Sequence, residues 1–474
     1  MLYCQAAWRV RVVSSLGVVY KGVRCMPRGS FRGGIHPPEN KSSTSGSPIA
    51  AARQPSKVVV LLNMGTSCAL SSMVAKGDSV LKGQKIADPA GRMGVPSHSP
   101  VSGKVTAIGA VRAGLGTLDQ AITIEPDGQD TLDQSCVPVE NVDKLSQAEI
   151  IDVVREAGIV GMGGAQFPTH IKLSLPPNVK VDTLLVNGAE CEPYLTADHR
   201  LMVERPKEVV RGTQILMKAV GVSRAVIGVE DNKPDAVEAL RRAVSDASAG
   251  EAIEVTAVRT HYPQGSEKHL IKSVLGREVA PGCLPFSVGV VVNNVGTAVA
   301  VADRFDRGLP LIERVVTVTG SGVAKPANIM MKIGTPAIEL IEQCGGFAGD
   351  PGKIIFGGPM MGAAVPTADA PTTKGTSGIL VLDREESRSV EPMPCIRCGR
   401  CVESCPMRLE PALLHQWSEV GLWSEAEAYH ALDCIECGVC SYECPSRRNL
   451  VQAIKYAKAE IGARRRAARE RGDK

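Results

Sequence analysis

The stretch "CIRCGRCVESCP" at residues 395–406 decides the fold at the C-terminal end of this chain, and it returns as "CIECGVCSYECP" at 434–445. Both copies have the spacing C-x2-C-x2-C-x3-C-P, and together they contain eight of the fifteen cysteines. Three thiols this close together lie on one tight loop and can wrap one face of a cubane cluster. The fourth thiol follows before a proline that ends the run. The repeat therefore predicts two iron–sulfur sites.

The two copies are predicted to exchange their fourth ligands, because in bacterial ferredoxins with this spacing the fourth cysteine binds the other cluster. We predict one [4Fe–4S] cluster on Cys395, Cys398, Cys401 and Cys444, and a second on Cys434, Cys437, Cys440 and Cys405. Structural zinc prefers cysteine pairs separated by a longer spacer. A disulfide framework requires an oxidising compartment, and nothing in the sequence marks a secreted protein. The repeat therefore favours iron–sulfur ligation over both alternatives.

Length and charge exclude two classes of function. The 474 residues are enough for about three domains. The formal net charge of +4 is too small to indicate a nucleic-acid partner. No run of 18 apolar residues occurs, and the apolar stretch 288–302 is interrupted by Asn293, Asn294 and Gly296. We therefore expect no direct membrane span.

Basic residues accumulate at both ends of the sequence. The first 38 residues hold six Lys or Arg and no acid, which resembles a transit peptide. Residues 1–28 are predicted to be a basic extension, and the alternative to a transit peptide is that translation starts at Met26, which would leave 1–25 untranslated. The sequence "RRRAARER" at 464–471 is expected to end a solvated helix, and a docking site for an acidic partner surface is the alternative.

The first predicted domain, residues 29–135, is rich in short β-like runs. Residues 34–56 are rich in Pro, Ser and Gly and are expected to be extended. The phrases "GDSVLKGQ" and "SPVSGKVTAIG" resemble the two arms of a biotinyl/lipoyl-type hammerhead. The lysine that carries the prosthetic group in such domains has no counterpart in "DPAGRMGVPSH". We therefore predict a structural β domain and not a carrier domain.

The remaining chain divides into an α/β domain, a small module and the cysteine domain. At 136–310, a capping box formed by Ser146 and Glu149 opens a helix, and buried strand patterns then alternate with helical stretches at 207–220 and 234–247. This alternation predicts a largely parallel sheet. Residues 311–370 predict a small α+β module around one helix near 336–343, 371–392 a polar linker, and 393–474 a helical domain holding both clusters.

The glycine-rich stretch "GMGGAQFPTHIK" at 161–172 does not fit a dinucleotide fingerprint. Such a fingerprint follows a strand and opens a helix, whereas this stretch follows a helix and has Gln166 at its sixth position. Its bare backbone amides could still approach a phosphate or a flat ring, with Lys172 as the counter-charge. A plain turn is the alternative.

Seven motifs in register resemble the RnfC family, the C subunits of the Rnf electron-transport complex, from about residue 29 to about 460. They are "GGIHPPENK" (33–41), "GMGGAQFPTHIKL" (161–173), "VNGAECEPYLTADHRLM" (186–202), "GVEDNKP" (228–234), "YPQGSEKHLI" (262–271), "VNNVGTA" (292–298) and the paired cysteine motifs. The resemblance implies a hammerhead-like N-terminal domain, a flavin/nucleotide domain similar to the 51-kDa subunit of respiratory complex I, a β-grasp module and a helical ferredoxin domain.

The same resemblance implies cofactors, partners and location. It implies a peripheral, NADH-facing subunit with non-covalent FMN and two [4Fe–4S] clusters, on the cytoplasmic side of the bacterial inner membrane. Its partners would be the membrane and iron–sulfur subunits of one complex, and ferredoxin indirectly. In that family electron transfer is coupled to ion transport in the partner subunits.

Matching motifs also implies site residues. The flavin would lie against Gly161, Gly163 and Gly164 with Lys172 near its phosphate, Asn187, Glu190 and Gly265 would line the pocket, and Asn293, Asn294 and Thr297 would hold the phosphate end. NADH would stack near Phe167, with Glu192 and Glu267 facing its polar parts and Tyr262 as a further candidate. Core packing for Phe167 and solvated turn carboxylates for Glu190 and Glu192 are the alternatives.

Two residues depart from the complex I pattern and keep open a relay subunit with a vestigial flavin site, while a second alternative rests on shared flavin and cluster motifs. Gln166 stands where that family has a glycine, and Ser266 where it has an acidic residue. The first predicts a bulkier lid on the flavin edge, and the second weakens placement of nucleotide hydroxyls. One alternative function is a flavin and iron–sulfur cobalamin reductase of a propanediol-utilisation system. Another is an electron-relay subunit without enzymatic activity.

Overall fold

The computed structural model describes residues 30–63, 69–91, 93–114 and 116–472. The predicted basic extension 1–28 lies outside this range. Within it, no helix has both the length and the apolar composition needed to cross a bilayer. The chain forms a β domain, an α/β domain, a small mixed module and a helical cysteine domain, and the predicted multidomain α/β fold class is confirmed.

The β domain contains two small antiparallel sheets. The chain up to the end of this domain forms eight strands within the described residues: β1 (Ile49–Ala51), β2 (Val58–Leu61), β3 (Leu70–Ser72), β4 (Ser79–Val80), β5 (Lys85–Pro89), β6 (Ser97–His98), β7 (Gly103–Arg112) and β8 (Leu118–Pro126). One sheet has the order β2-β8-β7-β4 and the other β3-β5-β6, while β1 pairs elsewhere. Their inward residues join the apolar core of the following domain, so the two domains share one continuous core.

The α/β domain is built on a parallel four-stranded sheet of order β11-β10-β9-β12. Its helices are α1 (Gln147–Glu156), α2 (Thr169–Leu173), α3 (Ala197–Glu204), α4 (Pro206–Val220), α5 (Pro234–Asp246), α6 (Glu267–Leu275) and α7 (Val295–Arg307). Its strands are β9 (Thr183–Gly188), β10 (Ala225–Glu230), β11 (Ile253–Val258) and β12 (Val290–Asn294). Two 3-10 helices, Val142–Lys144 and Pro285–Val288, complete it. The predicted parallel sheet and both predicted helices are present.

Local sequence explains how these helices begin and cross. Ser146 and Glu149 form the predicted capping box at the start of α1. Helix α4 begins with Pro206 and ends at Gly221, whose φ is 80°. Helices α4 and α7 cross closely because Gly212 faces the Ala298 carbonyl, where a Cβ atom would overlap the oxygen. This crossing fixes α7 behind the sheet.

The small module is a six-stranded sheet of order β1-β14-β13-β17-β15-β16 around one helix. Its elements are β13 (Glu313–Thr319), β14 (Ala327–Lys332), α8 (Ala337–Gln343), β15 (Pro351–Phe356), β16 (Ala363–Val365) and β17 (Gly378–Asp383). The prediction that 371–392 is a linker is therefore wrong where β17 lies, at Gly378–Asp383. Strand β17 pairs between β13 and β15, because its apolar residues complete the core of the module.

The C-terminal domain is helical, as predicted. It contains α9 (Arg400–Glu403), α10 (Pro411–Glu419), α11 (Trp423–Ala428), a 3-10 helix (Ala431–Asp433), α12 (Val439–Tyr442) and α13 (Leu450–Arg471). Helix α13 packs along α10 and α11, and its inward residues Ile454, Ala457 and Ile461 form a separate apolar core with Leu414. The basic end of α13 is mostly exposed, which fits the solvated helix predicted for 464–471.

Candidate functional site

The strand order of the parallel sheet defines a cleft. Successive strands run outward from β9 to β10 and β11, and the chain then returns to place β12 on the other side of β9. Ligands of open α/β sheets bind at the carboxyl ends of the strands where the order reverses. Asn187 lies near the end of β9 and Asn294 ends β12, and the two residues are register partners. The predicted residues 187, 293 and 294 therefore lie at this switch point.

The glycine-rich stretch forms a closed loop above the same strand ends. Val160 bridges to Pro168, and the Gly161 amide donates to the Phe167 carbonyl at 2.8 Å. The Thr297 hydroxyl accepts from the Met162 amide at 3.0 Å and thereby fixes the loop to the first turn of α7. Residues that the sequence analysis placed together, from 161–164 and 294–297, thus meet in space.

Two glycines of this loop differ in their surroundings. A Cβ atom on Gly163 would lie 2.7 Å from Asn294 Nδ2, whereas one on Gly164 would meet no heavy atom within 4 Å. Gly163 therefore allows the close approach of the loop to α7, and Gly164 faces open space. The loop can present bare backbone to a ligand on the Gly164 side.

Gln166 takes the conformation of a glycine. Its φ is 55°, in the left-handed region that L side chains adopt at a cost. Its side chain lies against Gly375, where a Cβ atom would come within 2.6 Å of Nε2. The bulk that distinguishes this chain from the glycine pattern is therefore packed against the segment before β17. The predicted lid on the flavin edge stays a prediction.

The β12–α7 junction supplies polar groups for an anionic ligand. Asn294 caps α7, since its Oδ1 accepts from the Gly296 amide at 2.8 Å, and its Nδ2 donates to Asp198 at 2.7 Å. Asn293 is buried, and its Nδ2 has no partner within the described residues. A buried donor without a partner, next to the N-terminus of a 13-residue helix, fits the oxygen atoms of a phosphate-bearing cofactor.

Lys172 and Glu267 form an ion pair at the edge of the cleft. The Lys172 ammonium also donates to the Val292 carbonyl at 3.3 Å. The side chains are 25% and 40% exposed respectively, so both are reachable by a ligand. The sequence analysis placed Lys172 at a phosphate and Glu267 at NADH, and the structure places them beside each other at the start of α6.

The carboxylates of Glu190 and Glu192 are both held by backbone amides. Glu190 accepts from the amides of Asp198 at 2.7 Å and His199 at 3.1 Å, at the start of α3. Glu192 accepts from the amides of Met360 at 3.1 Å and Met361 at 2.8 Å. Burial raises the pKa of Glu192 to about 7. Burial and the charge of Glu190 raise the pKa of Asp198 to about 6.

The loop before α6 is bonded to the end of β9. Asn187 Nδ2 donates to the Gly265 carbonyl at 2.8 Å, and the Gly265 amide donates to Cys191 Sγ at 3.2 Å. Burial raises the pKa of the Cys191 thiol, which keeps it protonated and unreactive. Phe167 is half-buried at the edge of the glycine loop, so part of its side chain is open to a ligand. Asn187 and Gly265 are therefore joined directly at the carboxyl end of β9.

The loop 189–195 rests on two buried lysines that the sequence analysis did not assign. Lys41 Nζ donates to the carbonyls of Glu190 at 2.7 Å and Leu195 at 2.6 Å. Lys233 Nζ donates to the Ala189 carbonyl at 2.8 Å and pairs with Glu230 at 3.0 Å. Both lysines occur in quoted motifs, "GGIHPPENK" and "GVEDNKP". Their presence in these motifs, without an assigned role toward a ligand, was the sequence signal that could have identified them as supports of the loop.

The cysteines gather in two sets. Cys405, Cys434, Cys437 and Cys440 line a small apolar cavity together with side chains that include Pro406, Ile435, Val439 and Ile454. Burial and the neighbouring thiols Cys434 and Cys405 raise the pKa of Cys437 to about 12. Burial and the charges of Cys444, Cys395 and Cys398 likewise raise the pKa of Cys401. Each set thus contains the fourth cysteine of the other motif.

Neither set is arranged for a single metal ion. Within the described residues, no three His, Cys, Asp or Glu side chains are close enough to ligate one ion. Four thiols around an apolar cavity fit a larger polynuclear cluster, whose irons keep the sulfur ligands apart. The crossed grouping agrees with the predicted exchange of fourth ligands, and the ligand assignment itself stays a prediction.

One wall of the cleft touches the second cysteine loop directly. The Tyr262 hydroxyl donates to the Cys437 carbonyl at 2.8 Å. Tyr262, Ile35, Cys437 and Val439 form an apolar cluster against which Cys191, Met360 and Ile435 pack. Cys191 in turn accepts from Gly265 at the cleft. The cavity of Cys405, Cys434, Cys437 and Cys440 is therefore the one nearer the cleft.

Family models match four successive parts of the chain. An RnfC barrel sandwich hybrid domain matches residues 29–129, a Nuo51 FMN-binding domain 154–303, an SLBB domain 315–364 and a 4Fe-4S dicluster domain 393–448. The chain therefore has an FMN-binding domain and a 4Fe-4S domain. The β domain with no carrier lysine and the small module correspond to the first and third of these families.

Relatives with closely similar sequences occur in several bacteria. The C subunit of the Na(+)-translocating ferredoxin:NAD(+) oxidoreductase complex of Acetobacterium woodii is 47% identical over 438 residues, covering 92% of this chain and 98% of the relative. Its counterpart in the proton-translocating ferredoxin:NAD(+) oxidoreductase complex of Clostridium ljungdahlii is 48% identical, covering 93% and 95%. The C subunit of the ion-translocating oxidoreductase complex of Rhodobacter capsulatus is 43% identical, covering 92% and 84%.

Among solved structures, an NAD+-reducing [NiFe]-hydrogenase in the air-oxidised state matches 68% of this chain and 68% of its own chain. The TM-score is 0.49 and the sequence identity 20%. At this level of similarity the match carries no functional argument.

Proposed function

Since the chain belongs to the family of C subunits of ion-translocating ferredoxin:NAD(+) oxidoreductase complexes, we propose that it exchanges electrons between NAD(H) and the rest of such a complex. Membership confirms the resemblance carried by the seven motifs, and it makes the chain an electron-transfer subunit of an Rnf complex. The observation that carries the finer proposal is the contact between the strand-end cleft and the Cys437 loop. A cleft for a two-electron cofactor and a cavity for a one-electron cluster share one wall.

The proposed flavin site is the opening between the glycine loop and the β12–α7 junction. Gly164 presents open backbone, and Gly163 lets the loop approach α7. Asn293 Nδ2 and the amides at the start of α7 hold the phosphate end, with Lys172 supplying positive charge. Asn187 and Gly265 fix the opposite side by their own hydrogen bond. These groups suit FMN because they combine a phosphate-binding end with an uncrowded backbone surface.

The proposed NADH site lies at the edge of the same opening. The half-buried ring of Phe167 offers a stacking surface, and Glu267 remains 40% exposed beside Lys172. Glu192 is bonded to the amides of Met360 and Met361, so its proposed part is to hold that loop over the cleft. FMN held there would supply the exchange between a hydride from nicotinamide and single electrons for iron–sulfur clusters. The chain's residues orient the reactants and exclude water.

The proposed route from the cleft reaches the nearer cysteine set first. Tyr262 and Cys191 belong to the apolar cluster that includes Cys437, and the Tyr262 hydroxyl donates to the Cys437 carbonyl. We assign the first [4Fe–4S] cluster to Cys405, Cys434, Cys437 and Cys440 and the second to Cys395, Cys398, Cys401 and Cys444. The second set includes Cys395 and Cys398, which are exposed. Electrons are therefore proposed to leave the chain from this second cluster.

The proposed setting is the cytoplasmic face of the inner membrane, where the membrane and iron–sulfur subunits of the complex receive the electrons and ferredoxin is reached through them. Ion transport belongs to those subunits. The relatives from Acetobacterium woodii and Clostridium ljungdahlii are named for sodium and for proton translocation respectively. Similarity to both relatives is therefore compatible with either sodium or protons as the coupling ion.

Anaerobic purification followed by NADH titration tests the proposal. We expect one FMN, two [4Fe–4S] clusters by iron and sulfide analysis, and loss of flavin absorbance when NADH is added. A chain that binds no flavin, or whose flavin NADH leaves oxidised, would be a relay subunit and would contradict the proposal. Rapid oxidation of the reduced chain by cob(II)alamin would instead support the cobalamin reductase alternative.

A further inference from the structure

The two cysteine motifs provide an internal comparison, because their backbones adopt the same conformation. Arg397 and Glu436 have φ of 55° and 60°, and Gly399 and Gly438 both have φ of 77°. In each loop the amide of the residue two positions after the first cysteine donates to its sulfur at 3.4 Å. Differences in what surrounds the two loops therefore come from the rest of the molecule and not from the loops themselves.

The second loop is covered by other parts of the chain. Its Cys437 carbonyl accepts from Tyr262, and a Cβ atom on Gly438 would lie 2.8 Å from the Met360 carbonyl. Its Glu436 pairs with Lys458 at 2.5 Å, and the same ammonium donates to the Cys434 carbonyl at 2.7 Å. This loop thus has an apolar cover on one side and a charge partner on the other.

The first loop lacks both kinds of cover. Ile396 is 67% exposed, and a Cβ atom on Gly399 would meet no atom within 4 Å. Every residue from 391 to 400 is exposed, which includes two of the predicted cluster ligands. Arg397 and Arg400 form no ion pair with any residue that the structure describes. At the positions equivalent to these arginines, the second loop has the paired Glu436 and the fully buried Val439.

Further apolar and basic side chains surround this first loop. Val390, Met393, Val402 and Tyr442 are 45%, 54%, 42% and 51% exposed. Beside Cys444 lies a surface pocket whose lining includes Arg388, Arg447 and Arg448 and no carboxylate. The charged residues of 388–402 and 442–448 are five arginines and two glutamates, Glu391 and Glu443, and Arg448 pairs with Glu419. An apolar patch bordered by an excess of one charge is typical of a protein interface. We call the surface formed by residues 388–402 and 442–448 the open cluster face.

We propose that the open cluster face docks a separate electron-transfer protein whose contact surface has an apolar centre and an acidic rim. The partner would cover Ile396 and Met393 and would place carboxylates against Arg397, Arg400 and the arginine pocket beside Cys444. A second copy of this chain suits the surface less well than an acidic partner, because its five arginines outnumber Glu391 and Glu443 and two such surfaces would repel each other. The inference rests on the proposed function, since it takes this cluster as the exit for electrons.

The test uses the purified holo-chain and membrane vesicles from a strain of the source organism that lacks this chain. Binding is measured by sedimentation of the chain with the vesicles over a range of chain concentrations. The variant is Arg397→Glu with Arg400→Glu, and the control is Arg241→Glu with Arg242→Glu on the distant helix α5. We expect about a tenfold or greater loss of affinity for the first variant, and about twofold or less for the control. A second variant, Met393→Ser with Val402→Ser, tests the apolar centre.

A solution assay gives a readout that a folding defect would not produce. NADH-driven reduction of anionic ferricyanide is expected to slow in the charge-reversal variant, while reduction of cationic hexaammineruthenium(III) is expected to accelerate. General damage would slow both reactions. Equal binding of parent and charge-reversal variant to the vesicles would overturn the inference. So would equal binding of the parent to protein-free anionic phospholipid vesicles, or a parent dimer that the charge reversal dissociates.

Failure of the inference can be told from failure of the proposed function. Reduction of the flavin by NADH occurs in the isolated chain and needs no partner. If NADH reduces the parent but charge reversal leaves docking unchanged, only the docking surface is wrong. If NADH does not reduce the parent, the proposed function falls first, whatever the vesicles bind.

Discussion

At the scale of single residues, the charged groups of the cleft are already engaged with one another. Lys172 pairs with Glu267, and Asn294 binds Asp198 while it caps α7. The carboxylates of Glu190 and Glu192 accept from backbone amides. Buried charges are tolerated only when they are paired or hydrogen-bonded. The same side chains that hold the fold therefore shape the electrostatics that a ligand meets.

Replacing Lys172 with alanine is expected to weaken FMN retention while both clusters remain. The loss removes a fixed positive charge beside the phosphate, and a charge-assisted contact is worth about 1.5–3 kcal/mol, or roughly ten- to a hundredfold in affinity. Dialysis with flavin fluorescence measures the retention. The control is Lys268→Ala, since that ammonium bonds to the Ala280 carbonyl at 3.1 Å on an exposed surface. Unchanged retention in Lys172→Ala would place the phosphate elsewhere.

Glu192 is expected to make stability depend on pH. Its pKa is raised from 4.5 to about 7 in the folded chain. Between these values the folded state binds more protons than the unfolded state, so stability falls as pH rises through this window. At about 1.36 kcal/mol per pKa unit, the upper bound is about 3 kcal/mol. Glu192→Gln cannot ionise, and its melting temperature relative to the parent should rise from pH 5 to pH 8.

The control for this pH effect is Glu238→Gln, because the Glu238 side chain is 68% exposed. Its melting temperature should follow that of the parent at every pH. A difference between Glu192→Gln and the parent that stays constant from pH 5 to pH 8 would show that Glu192 titrates normally in the folded protein.

At the scale of elements, the cleft depends on how one loop sits on one helix. Thr297 of α7 accepts from the Met162 amide, and Gly163 lies against Asn294. Helix α7 is itself held by α4 through the close approach at Gly212. The packing of α4 against α7 therefore determines where the glycine loop lies.

Alanine at the two neighbouring loop glycines should therefore have different effects. Gly163→Ala forces Asn294 to move, so it should lower the melting temperature of the flavin-free chain by about 2 °C, as loss of about 1 kcal/mol would in a unit of this size. Gly164→Ala meets no atom and should leave that temperature unchanged. Both should lower FMN retention, because the flavin is proposed to lie against this loop. If Gly164→Ala retains flavin as the parent does, the flavin does not approach that residue.

At the scale of the whole molecule, the N-terminal segment joins domains that are distant in sequence. The Gly34 amide donates to the Ser404 carbonyl at 2.8 Å, and Ile35 bridges to Tyr262. Phe31 lies between His261 and His269, with ring centroids 4.6 Å and 4.4 Å apart. Lys41 then supports the loop 189–195. The motif "GGIHPPENK" therefore fixes the cysteine domain against the flavin domain.

Removing the fourth cysteine of one motif should damage the cluster of the other. Cys405→Ala is expected to perturb the cluster on Cys434, Cys437 and Cys440, and Cys444→Ala the one on Cys395, Cys398 and Cys401. Anaerobic NADH titration followed by EPR measures this, with Cys398→Ala and Cys437→Ala as references for each signal. The flavin lies upstream, so NADH should still reduce it in both variants. If Cys405→Ala perturbs the same signal as Cys398→Ala, each motif closes on its own cluster.

The sequence alone determined those features that depend on residues near each other in the chain. The cysteine spacing specified the loops, whose φ values at 397 and 436 are nearly equal because their sequences are nearly equal. The alternation of apolar and helical patterns predicted the parallel sheet, and Ser146 with Glu149 predicted the start of α1. Local backbone conformation follows from local sequence, so these predictions needed no tertiary information.

Only the tertiary structure decided which of these local features are covered and what they touch. The pairing of Lys172 with Glu267 and the contact of Tyr262 with Cys437 join residues 95 and 175 positions apart. The sequence analysis predicted a linker where β17 lies, because pairing of this strand between β13 and β15 depends on the whole module. Two nearly identical cysteine loops differ in exposure, because burial is a property of the surrounding packing, which no local pattern encodes.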